Sequence, residues 1–259
     1  MKDITDYVSR ICSNCDTNLQ RLYLLISARG FLLEKQEDLI YVSSNSNKKD
    51  AADLDNLLRT LNMGMVIDSQ VLFNENVEIN RLPKIFTTVS KVGGDPSKND
   101  YDWIYFKYRK HGFKVPALDL EPFIAKYIKA LSACGIITSI SCDGNHDNKT
   151  EFFLDFNGNP SDFWHQWLWE HLIYRKAELP WVNNYKNVNF TKETQYNYYF
   201  ELLTAANYLY DNRLLLRDLR QHSINWLTRS KAKNMRHSDI CNEVSKRAND
   251  YLSVIRLNS

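Results

Sequence analysis

The chain has 259 residues with 44% hydrophobic and 25% charged side chains, which is enough apolar material for a sizeable core and excludes a largely disordered polymer. A formal net charge of +2 excludes a general electrostatic attraction to nucleic acid or anionic membrane, and five cysteines, an odd count, argue against a complete disulfide framework. The start Met1-Lys2-Asp3-Ile4-Thr5-Asp6 lacks a signal-peptide pattern, and no run of about 18 apolar residues is present, so a cytoplasmic protein with no membrane partner is expected.

Asp16 or Thr17 is placed to cap a helix running to Ala28. Leu19, Leu22, Leu25 and Ile26 follow a 3.6 period, and Gly30 stands where that helix would stop. Leu39 to Ser43 reads as a short strand, and Ala51 to Leu61 as a helix with Leu54, Leu57, Leu58 and Leu61 in register. Short β-like runs follow at Val66-Ile67, Val71-Leu72-Phe73 and Ile85 to Val89. Gly93 to Asp100 is a loop signal, and Tyr101 to Tyr108 an aromatic strand candidate.

Pro122 suits the first turn of a helix from Glu121 to Ala133, which Gly135 ends. Ile136 to Ile140 then reads as a buried strand whose neighbour across a turn is Glu151 to Phe156. Beyond Asn157-Gly158-Asn159-Pro160 the pattern becomes helical: Asp162 to Tyr174, then Thr191 to about Leu219 with a break near Asp211-Asn212, Ile224 to Leu227, and Asp239 to Ile255. Residues 180 to 189 read as irregular. The fold class expected is α+β, with a mixed α/β sheet domain over 1–158 and an all-helical region over 159–259.

Three places carry chemistry. Cys12 and Cys15 form a CxxC, the spacing that binds one face of a tetrahedral zinc; two further ligands would be needed. A redox role would instead require a preceding strand and a helix N-terminus, and residues 1 to 11 make a poor strand. Two ordinary cysteines on an N-terminal helix are the third reading. The turn Ser141-Cys142-Asp143-Gly144-Asn145-His146 puts a thiol and an imidazole four residues apart, as nucleophile and base. Asp143, His146, Glu151 and Asp155 are the alternative there, a divalent-metal set, and a polar hairpin loop is the plain reading. The third place is the C-terminal region. From Arg213 to Arg247 nine cations face three anions, leaving +6, so the remainder carries −4. Arg229, Lys231, Lys233 and Arg236 are the candidate phosphate contacts in a nucleic-acid-binding reading, against a solvated helix surface.

Aromatics make up 13% of the chain, with 15 Tyr and 6 Trp. Trp164, Trp167, Trp169, Tyr199 and Tyr208 would suit a subunit interface in a homo-oligomer, where Tyr and Trp are enriched; at helical spacing they also suit a core. No phosphate-binding GxxxxGK[ST] loop, GxGxxG, HExxH or GxSxG occurs, which lowers the weight of an enzymatic reading.

The run Ile124 to Leu131 followed by Gly135-Ile136-Ile137-Thr138-Ser139-Ile140-Ser141-Cys142-Asp143-Gly144-Asn145-His146 resembles small phage and bacterial proteins that carry a helix, a strand and Ser-Cys-x-Gly-His. Here Asn145 is inserted before the His. The resemblance covers about 25 residues and implies a phage or mobile-element origin. With the missing catalytic motifs and the aromatic helical region, it leads to a non-enzymatic protein that binds another macromolecule. By analogy with the Gabija inhibitors, that would be a phage-encoded oligomeric inhibitor of a bacterial anti-phage defence complex, acting in the host cytoplasm on a host protein. The alternatives are a thiol- or metal-dependent enzyme acting on nucleotides or nucleic acid, and a nucleic-acid-binding module.

Overall fold

The computed structural model describes residues 3–44, 46–88, 116–136, 138–142, 151–156, 159–170, 187–189 and 194–257. The first helix, α1 (Ile4–Ile11), is started by Asp3, whose carboxylate accepts from the Thr5 and Asp6 backbone N–H groups. In α2 (Asn18–Ala28) Thr17 and Gln20 form a reciprocal capping box, which satisfies two of the donors a helix start leaves open. Gly30 follows at φ 99°, where a Cβ would lie 2.7 Å from the Ala125 Cβ, so its lack of a side chain lets the end of α2 close onto a later helix.

A four-stranded antiparallel sheet comes next, in the order β1 (Leu33–Gln36), β2 (Leu39–Val42), β4 (Gln70–Phe73), β3 (Gly64–Ile67), with α3 (Asp50–Leu61) inserted between β2 and β3. Leu54, Leu57, Leu58 and Leu61 all point from α3 into the core. Gly64 opens β3 at φ 145°, with the Leu72 carbonyl in the space a Cβ would need.

The run Ile85 to Val89, read as a strand, is corrected: Lys84–Thr87 form a one-turn helix, α4, and Val89 lies outside the described residues. Pro83 starts it with φ −57° and ψ −25°, already in the helical region. Ile85 and Phe86 are both buried, which a single helical turn set into the core allows. The loop and strand expected over 93–108 lie outside the described residues.

The central element is α5 (Ala125–Ala133), all nine of whose residues are buried, including Lys126, Lys129 and Ser132. It packs chiefly on α7 (Gln195–Asp211), and buried alanines on both helices, Ala125, Ala130, Ala205 and Ala206 among them, allow a close approach. The Cys134 Sγ, just past α5, donates to the Leu209 carbonyl of α7 at 3.4 Å.

A second, three-stranded antiparallel sheet holds β5 (Thr138–Cys142), β6 (Glu151–Phe156) and β7 (Asn187–Asn189). β7 falls in a stretch that reads as irregular. The next helix, α6 (Asn159–Leu168), begins before Asp162 because Pro160 sits in its first turn, where its missing N–H costs nothing. The expected break near Asp211-Asn212 divides α7 from α8 (Arg213–Ile224). The chain ends in α9 (Arg229–Asn234) and α10 (His237–Leu257), with α10 packed along α8. The layout is α+β, as the patterning predicts. One hydrophobic cluster includes residues on both sides of position 158, and the region expected to be all-helical is corrected by β7, which pairs with β6.

Candidate functional surfaces

β5 ends at Cys142, so the turn that follows, with Asp143 and His146, lies outside the described residues. Backbone register sets Cys142 opposite Phe153 and Ser141 opposite Leu154. Positions 142, 151, 153 and 155 therefore share one face of the sheet, and the buried Leu154 occupies the other. Cys142, Glu151 and Asp155 are thus brought to one face; His146, which both site readings use, lies outside the described residues.

Cys12 closes the C-terminal end of α1, and Cys15 is buried one turn further on. This corrects the redox reading, whose premise was a strand followed by a helix N-terminus. Burial, reinforced by the adjacent Cys15, pushes the Cys12 thiol up to about 12, away from a reactive thiolate. For zinc, no third His, Cys, Asp or Glu joins the pair among the described residues.

Four of the five aromatics offered as interface candidates are enclosed within the chain. Trp164 and Tyr199 are fully buried, Trp167 and Trp169 are 4% exposed, and Tyr208 is half-buried against the same core. Trp164 stacks on Trp167 with centroids 5.0 Å apart. Tyr199 stacks on Phe123, Trp169 lies against Tyr127 of α5, and α6, which carries Trp164 and Trp167, packs against α8 and α10.

One apparent catalytic dyad is equally internal. Tyr127 Oη lies 2.8 Å from His165 Nε2, and the Trp169 indole N–H donates to both, at 2.6 and 2.8 Å. All three residues are buried. These contacts clasp the Tyr127 ring of α5 to His165 of α6 and to Trp169 just beyond it.

Sequence reasoning missed the buried charges of α5. Lys129 Nζ meets Asp50 Oδ2 at 2.6 Å with both side chains enclosed. The other oxygen of Asp50 accepts from the Ala117 N–H at 2.8 Å, and Arg29 donates to the Ala117 carbonyl at 2.8 Å. Both polar groups of that backbone unit are thereby held, which pins residues 117–119 between α2, α3 and α5. Burial pulls Lys129 below its ordinary value, and Asp50 pushes back.

Among the described residues no carboxylate is in contact with Lys126. Its ammonium donates to Ser27 Oγ at 3.0 Å and lies 4.6 Å from the Tyr210 ring centroid. Burial lowers it from 10.5 to about 8, partly opposed by Asp211. The folded value lies below the unfolded one, so the unfolded chain binds more protons between them and stability rises with pH above about 8. Above pH 9 the buried Cys134 thiol, raised from 9.0 to about 12, works the opposite way. Between pH 8 and 9 the wild-type chain should gain about 1 kcal/mol relative to Lys126→Met, read from urea midpoints at each pH. A constant difference between the two proteins would contradict the assignment.

Two surfaces remain. The first is the outer face of the four-stranded sheet. Tyr41 lies opposite Gln70, so antiparallel register sets Leu39 beside Leu72, which itself lies opposite Met65; Ile67 lies opposite Gln70. Leu39, Leu72 and Ile67 are 45%, 40% and 48% exposed. Exposed Glu37, Asp38 and Asp68 in the hairpin turns border this apolar row. The second is the C-terminal helical surface, where Lys231, Lys233 and Arg236 are exposed and Arg229 opens α9. No family model matches the chain, and neither a curated protein nor a solved structure shows significant similarity to it.

Proposed function

We propose that the chain is a non-enzymatic binding protein whose outer sheet face docks on another protein, as a phage-encoded, oligomeric inhibitor occupying a host defence complex in the host cytoplasm. The supporting observation is the row Leu39, Leu72 and Ile67, exposed and gathered by the strand register on one face of the sheet. Contiguous apolar surface with a polar rim is the usual mark of an interaction site. The acids at its border favour a partner whose own apolar patch is edged by Lys or Arg. The defence-complex element rests on the phage-like segment around residues 124–146. With the tryptophans enclosed, any contact between copies has to use surfaces other than the aromatic set.

The test compares affinity purification from the host using the tagged wild-type chain and a Leu39→Lys/Leu72→Lys variant, both checked for folding by circular dichroism. A partner retained in stoichiometric amount by the wild type and lost at least tenfold by the variant is the expected result. Equal recovery by both would remove the sheet face as the docking site. Loss of biological activity in Cys142→Ala or His146→Ala, with the partner still bound, would replace this reading by the enzymatic one.

A further inference from the structure

We infer that the seam between α8 and α10 binds single-stranded nucleic acid, independently of the sheet face. Trp226, two residues past α8, is fixed by its indole N–H donating to the Ser223 carbonyl at 2.7 Å. The Arg247 guanidinium of α10 lies 5.1 Å from its ring centroid and the Lys231 ammonium of α9 lies 5.9 Å away. One turn back along α8, His222 stacks on Tyr251 of α10 with centroids 4.1 Å apart and planes 25° from parallel. Trp226 and His222 are separated by four residues, and so are Arg247 and Tyr251. The seam therefore carries two successive ring-bearing rungs, about 6 Å apart along the helices. His222, Lys231 and Arg247 are exposed, and Trp226 and Tyr251 are half-buried, so the rungs reach the surface.

The sequence that builds the seam, Arg213 to Arg247, holds the cationic excess of the chain, and Lys231, Lys233, Arg236 and Lys246 in it are exposed. Of the nearby acids, Glu243 is engaged by Arg247 at 2.6 Å, and Asp218, Asp239 and Asp250 are exposed. Cations beside half-open rings match a strand that offers phosphates and unpaired bases together. A duplex offers only the phosphates, because its bases are already stacked.

The test is fluorescence anisotropy of a labelled 20-nucleotide oligo(dT) with the full chain at 50 and 200 mM NaCl. Three phosphates contacted by the seam would weaken binding roughly tenfold over that range. Trp226→Ala should weaken it roughly tenfold at fixed salt, and Trp226→Phe should restore most of the loss, since a ring is kept. Lys231→Glu/Lys233→Glu should weaken binding and flatten the salt dependence. No binding at 50 mM salt, full affinity in Trp226→Ala, or equal affinity for an oligo(dA)·oligo(dT) duplex of that length would each overturn the proposal. None of these results bears on the Leu39→Lys/Leu72→Lys comparison, so the two proposals fail separately.

Discussion

Lys129→Met is expected to lower the free energy of unfolding by about 3–5 kcal/mol, because it leaves the Asp50 carboxylate charged in a closed site. Asp50 is 0% exposed and heads α3, and besides Lys129 it receives the Ala117 and Asn47 N–H groups. Those two donors do not balance a full negative charge removed from water. Methionine nearly matches the lysine stem in length, so the loss measures charge rather than volume. Guanidinium unfolding gives the value, and Lys129→Met/Asp50→Asn gives the control. With both charges gone, the double variant should be more stable than Lys129→Met alone, by about 1 kcal/mol or more. A cost below about 1 kcal/mol for Lys129→Met would mean that the Lys129–Asp50 pair does not hold residues 117–119 in place.

That pair also shows where a sequence stops being informative. The helix α2 is legible because its signals are local: Thr17 and Gln20 three apart, apolar residues at helical spacing, and Gly30 beyond the end. The β5–β6 pair and the break at Asn212 are legible for the same reason. Asp50 and Lys129 are 79 residues apart, and nothing near either residue announces the other. The one local sign was that Lys126 and Lys129 interrupt an otherwise apolar helix, a pattern that solvated lysines share. Glu34-Lys35-Gln36 is too polar to read as strand, yet it is ordered by pairing with β2. For the tryptophans of α6, periodicity says that a face is covered and is silent on what covers it. Here that helix packs against this chain's own α8 and α10. The docking candidates went unnoticed for the converse reason. Leu39, Ile67 and Leu72 look like ordinary strand residues until the register collects them on the outward face.

Phe123→Ala is the second large effect, about 3–5 kcal/mol of lost stability for a buried ring. Phe123 stacks on Tyr199 with centroids 4.4 Å apart and on Phe86 at 5.5 Å, and it meets Tyr7 and Tyr196 edge-on at 5.4 and 5.6 Å. Those partners come from α1, α4 and α7, so a single ring joins residues from both sides of position 158. Two consequences follow that an independent pair of domains would not share. Unfolding of Phe123→Ala should remain one transition, with tryptophan fluorescence, which reports positions from 103 onward, coinciding with far-ultraviolet circular dichroism, which reports all helices. A chain ending at residue 158 should fail to fold, since it would expose Tyr7, Phe86, Phe123 and the face of α5 that α7 covers. If the two probes separate, or the shortened chain melts cooperatively, the ring cluster is only a contact between two self-sufficient units. If they coincide, the sheet bearing Leu39 and Leu72 and the helices bearing Trp226 are held by one core, so a partner bound at either surface stabilises the fold that presents both.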